Sequence, residues 1–238
     1  MTANSTAGWA LILAVVIGFV AGIFTPGGLL IDPVDSSSFE DAAGVLADNA
    51  VLAQIVTSLF VVSVVLYWFG LHSLHRAFSG GSAMDIVSRF ALNIFLVGYA
   101  LLILELSFRH VLIHVLEHGV GSAPAEEQAM ATTLFAAAAG IHFAFLYVTS
   151  IGSTIFGYAL ARRSKGTNIF KLASLGLALT GLLSFAVLMI AEHVPAIDLH
   201  GVGIASIIVL FFGSFCIAAI GVGIIQGRQE FVGEEAAA

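Results

Sequence analysis

Six long apolar runs constrain this chain more than any other feature, at about 8–25, 51–71, 88–112, 134–160, 170–192 and 201–226. Each is about 17–27 residues long, enough to cross a hydrocarbon core of roughly 30 Å as a helix. None alternates as a barrel strand would. The expected fold is therefore all-α, a polytopic membrane protein built as a six-transmembrane-helix bundle. Only 10% of the 238 residues are charged, whereas soluble domains carry about 25%. So few charges cannot cover a water-facing surface, and lipid must supply part of the solvent. The expected setting is a cell membrane, with the chain as a multi-pass integral protein and the bilayer as its first partner.

Basic residues set the expected orientation. Arg76 and Arg89 flank the connection between spans two and three. Arg162, Arg163, Lys165 and Lys171 fill the one between spans four and five, and Arg228 follows span six. All fall on one side if every run crosses, and that side is cytoplasmic by the positive-inside rule. Both termini are then inside. The opposite side is acidic, with Asp32, Asp35, Glu40, Asp41, Asp48, Glu126, Glu127 and Asp198. An acidic face argues against nucleic acid and suits cations.

One domain is expected over 1–238, with no internal repeat to suggest an inverted-repeat transporter. The N-terminal span lacks a basic leader segment and reads as an uncleaved helix. Residues 26–50 form an outer loop. Ser37-Ser-Phe-Glu40 within it is a capping pattern that predicts a short helix over about 39–48, lying on the membrane through Phe39, Val45 and Leu46. Residues 229–238 read as a flexible tail. Ser82 and Asp85 mark the start of a long third helix reaching His118, and Pro124 opens an equally long fourth. Both exceed the membrane thickness and should project outward or tilt. Gly18 and Gly22 in span one, and Ser153 and Gly157 in span four, form small-residue faces. These serve packing within the chain, a membrane-protein partner or a second copy. The lone Cys216 excludes an intrachain disulfide and reads as packing.

Chemistry concentrates in two places. His110, His114 and His118 recur every four residues, so they share one helix face, with Glu117 beside them. Two imidazoles at this spacing can ligate copper, zinc, iron or a haem. Glu192, His193 and His200 lie at a similar depth on spans five and six and could complete the site. The competing reading is a wet interfacial face. The second constellation is Glu105 with His142. A hairpin centred near Ala123 brings them to one level inside the apolar spans. Ionisable groups there are costly and point to function with a partner, although Arg109, one turn on, competes for Glu105. His72 and His75 end span two and read mainly as interfacial anchors.

Gly-x-Ser-x-Gly, Walker and His-Glu-x-x-His signatures are absent. Three functions follow as expectations. One is an outer-face metal or haem protein, such as a subunit of a membrane oxidoreductase. Another is a small proton-coupled transporter or channel working through Glu105 and His142. The third is a structural or assembly subunit without its own site.

Overall fold

In the computed structural model, residues 3–34, 39–119, 124–193 and 199–232 are described. They are helical throughout except for short connections, and no strand forms among them. The long helices are α1 (Ala3–Ile23), α3 (Ala50–Ser73), α4 (Ala83–His118), α5 (Pro124–Arg163), α6 (Ile169–His193) and α7 (Leu199–Ile225). Two short ones, α2 (Phe39–Asp48) and α8 (Gln229–Val232), and a 3-10 turn at Leu74–Phe78 complete the path. Six helices are long and apolar enough to span a membrane, as the apolar runs require.

Each spanning helix packs on its neighbours in sequence, and α7 returns to α1, closing a ring. The outer wall stays apolar: Leu13, Val51, Ile86, Phe90, Leu182 and Phe215 are exposed, as lipid contact demands. Small residues bring the helices close. A side chain at Gly152 would meet the Phe95 backbone of α4 at 2.7 Å, and one at Gly157 would meet the Ala178 backbone of α6 at 2.6 Å. Gly18 faces Ser63, and Gly22 faces Phe60 and Phe211, so these small-residue faces serve packing within the chain.

Local signals explain the boundaries. The Ser82 hydroxyl accepts from the Asp85 amide at 3.1 Å, and the Asp85 carboxylate accepts from the Ser82 amide at 3.3 Å, a complete capping box on α4. Gly119, at φ 65°, stops α4 in a conformation that glycine adopts without strain. After α1, the Gly27 amide donates to Ile31 at 2.8 Å across the Pro26–Gly28 turn.

Two expectations need correction. The short helix does form over Phe39–Asp48, but Leu46 and Ala43 are buried. Leu46 joins Ala50, Ala53, Leu112, Ile113 and Ala131 in a small second core. Its apolar side is covered by the ends of α3, α4 and α5 rather than lying on the membrane; the Phe39 side chain is outside the described residues. The tail is not wholly flexible either. Gln229–Val232 form α8, and Phe231 (1% exposed) and Val232 enter the main core against Phe170 and the 3-10 turn. Burial of two large apolar side chains offsets the entropy of ordering this turn. Residues 233–238 lie outside the described residues.

The 36 residues of α4 measure about 54 Å, well above a hydrocarbon thickness of about 30 Å. The α4–α5 hairpin carries the surplus, and α2 packs on it to make a cap. The cap and the acidic loops define one end of the bundle. Arg76, Arg89, Arg163 and Arg228 define the other, called here the basic end. Gly8 of α1 lies against Gly221 of α7, and α8 sits on the 3-10 turn, so both described chain ends are at the basic end.

Candidate functional site

The connection after Gly119 is short, so α4 and α5 return on one another as an antiparallel hairpin in fixed register. That register brings Glu105 of α4 to His142 of α5. Oε2 of Glu105 lies 3.1 Å from Nδ1 of His142. The Glu105 side chain is 12% exposed and that of His142 43%. A carboxylate has only acceptor oxygens when ionised, so the imidazole Nδ1–H donates. Arg109 stands one turn nearer the cap. It feels the Glu105 charge but forms no ion pair with it, and its Nε is buried without a hydrogen-bond partner. The pairing expected between helices therefore prevails over the one within α4.

The His142 ring lies 5.6 Å from that of Phe145, which in turn lies 6.3 Å from that of Tyr99. Phe145 and Tyr99 border a cavity of about 60 Å³ between α4, α5, α6 and α7. Thr149, Ser150 and Ser153 of α5, Thr180 and Ser184 of α6, and Ser214 of α7 give its wall a band of hydroxyls. Among the described residues, no charged one lines it. Tyr67 of α3 stacks on Tyr99 with ring centres 5.1 Å apart, and its hydroxyl approaches Ser214. Towards the basic end the interior turns apolar. Phe78, Leu92, Phe156 and Leu160 are fully buried, with the Phe156 ring 5.9 Å from Phe78 and 6.2 Å from Phe95.

Sequence reasoning missed this hydroxyl band. Its signal was present as Ser and Thr three or four residues apart in two of the spans, a spacing that puts them on one face, with Ser214 alone in a third. Single hydroxyls are cheap in a membrane helix because they bond back to their own backbone, so none stands out alone.

The histidine ladder occupies one exposed face of α4. His114 and His118 stack at 4.7 Å between ring centres, and Nδ1 of His118 lies 3.4 Å from Oε2 of Glu117. Glu117 also accepts from the Gln54 side chain of α3 at 3.0 Å. His110 is exposed on the same helix. His193, at the end of α6, has Nδ1 3.0 Å from the Met189 carbonyl, to which it donates. In the ring, α6 neighbours α5 and α7 while α4 neighbours α3 and α5, so α5 stands between the ladder and His193. The side chains of Glu192 and His200 are outside the described residues. Among the described residues no three His, Cys, Asp or Glu side chains gather closely enough to hold a metal ion. At the basic end His72 and His75 approach at 5.1 Å between ring centres.

The basic end is also tied by charge. Nη1 of Arg163 bonds Oδ1 of Asp85 at 2.5 Å and its guanidinium lies over the Phe78 ring at 5.1 Å. Arg228 pairs with Glu230 at 3.1 Å and covers Phe170. No protein family model, curated protein or solved structure matches this chain.

Proposed function

We propose that this chain is a small proton-coupled membrane transporter in which Glu105 and His142 form the proton-binding pair. The observation that carries this reading is their 3.1 Å contact between two helices within the spanning ring. A carboxylate and an imidazole in that setting share one proton as an ion pair; uptake of a second leaves a neutral carboxylic acid beside imidazolium, and release of the first leaves a carboxylate beside neutral imidazole. The low polarity around them makes each change of charge costly unless the helices adjust. Protonation is thereby linked to packing of α4 on α5.

The hydroxyl-lined cavity beyond Phe145 offers a place for a solute next to the pair. The aromatic and aliphatic layer of Phe78, Leu92, Phe156 and Leu160 closes the path to the basic end. A closed layer beneath a polar cavity favours a transporter that alternates between arrangements over an open channel. With the basic end cytoplasmic by the positive-inside rule, the pair and the cavity lie on the outer side of that closed layer.

The test is proton entry into liposomes holding the purified protein, driven by an imposed membrane potential and read by an internal pH dye. The wild-type chain is expected to admit protons above the rate of empty liposomes. Glu105→Gln is expected to return the rate to that baseline, and His142→Gln to lower it. Entry in Glu105→Gln equal to wild type would sink the proposal.

A further inference from the structure

Four of the cavity hydroxyls have already used their hydrogens. Thr149 donates to the Phe145 carbonyl at 2.7 Å, Thr180 to Gly176 at 2.7 Å, Ser214 to Leu210 at 3.0 Å and Ser153 to Ser150 at 3.2 Å. A hydroxyl that donates in this way keeps its lone pairs and faces a cavity as an acceptor. Thr149, Ser153 and Thr180 are all more than nine-tenths buried, so these acceptors belong to the interior and not to an open surface. Among the described residues the wall is thus rich in acceptors and free of formal charge.

Such a wall selects its occupant chemically. An acceptor-only solute would leave the lone pairs of these four hydroxyls unmatched and could be met only by the Ser150 and Ser184 hydroxyls. A cation would lose its hydration with no carboxylate among the described lining residues to replace it. A solute with several N–H or O–H donors and no net charge satisfies both conditions. The volume of about 60 Å³ corresponds to roughly four or five water-sized positions. The flanking Phe95, Tyr99 and Phe145 rings give such a solute flat apolar faces to lie against.

We infer that this cavity is a binding site for a small, neutral, hydrogen-bond-donating solute of the urea or small-amide class. The inference names the cargo of the transporter proposed above and rests on that reading for its movement, though not for its binding.

Three planar molecules of equal heavy-atom count separate the alternatives: urea, acetone and guanidinium. The experiment is a titration of the full chain in lipid nanodiscs, watching the labelled methyl groups of Thr149, Thr180 and Ile217 by NMR. Urea is expected to give saturable shifts at all three. Acetone and guanidinium are both expected to give weaker ones. Thr180→Val keeps the shape and removes one acceptor, and should weaken urea by about three- to tenfold, the ordinary worth of one hydrogen bond. Ser153→Ala removes another of the four acceptors and provides the same comparison if Thr180→Val fails to fold. Absence of saturable urea shifts, equal binding of acetone, or tighter binding of guanidinium would each overturn the inference. Proton entry that still depends on Glu105 while urea fails to bind would remove the cargo and leave the proton pair. Urea binding with proton entry indifferent to Glu105 would do the reverse.

Discussion

Asp85 joins two roles that are usually separate. Its carboxylate completes the cap of α4 and also receives Arg163 from the far end of α5. The guanidinium is 26% exposed and its Nε is buried with no partner. Replacing Asp85 by Ala would leave that cation against Phe78 with nothing opposite. After allowance for partial exposure the loss should be about 1–3 kcal/mol, read as a lower thermal midpoint in detergent. Ser82→Ala, which removes the cap acceptor and the hydroxyl's own bond to Asp85 but leaves Arg163 its carboxylate, should cost about 1 kcal/mol. Equal effects of the two substitutions would deny Arg163 its part. The hairpin register that made Glu105 and His142 legible as partners also brings Asp85 to Arg163. That second pair is hard to read from the sequence, because charges at helix ends serve equally as caps and as markers of orientation. The Glu105 partner was easier to read, since a carboxylate in an apolar run demands one.

At the scale of helices, the cap shows how far periodicity reaches. The extent of α2 followed from its capping pattern, because that signal is local. Its resting place did not follow. An apolar side containing Leu46 says that something covers it without saying whether lipid or protein does so. The answer depends on α4 and α5 being long enough to offer Leu112, Ile113 and Ala131 at the right height. Leu46→Ala should cost about 2–4 kcal/mol, concentrated in this second core. Hydrogen exchange of the α2 amides should then speed up while α1 and α6 keep their protection. Uniform acceleration throughout the chain would mean that the cap and the ring unfold as one unit. The α4–α5 contact has a different sensitivity. Gly152→Val would force a side chain into the Phe95 backbone, and overpacking of this kind costs about 1–3 kcal/mol. It should also disturb the Glu105–His142 contact, because the same two helices carry it.

For the whole molecule, the count of spans was legible and their cyclic order was not. In water, an apolar stripe tells which side of a helix faces the core. In lipid, the outward side is as apolar as the inward one, so Leu13 or Phe215 gives no sign of facing away from the ring. The orientation across the membrane is open to direct measurement. In a Cys216→Ser background, Lys165→Cys should react with an impermeant maleimide only from the cytoplasmic side, and His114→Cys only from outside. The opposite pattern would invert the direction of the proposed transport without altering the pair or the cavity. The continuity of α4 and α5 has a mechanical consequence. Neither helix contains proline beyond Pro124 at the start of α5, and neither is interrupted between the cap and the level of Glu105 and His142. Glu105 and His142 are therefore mounted on the same stiff rods that bear the cap. A torque applied to the cap by anything that grips it reaches Glu105 and His142 through a lever with no joint.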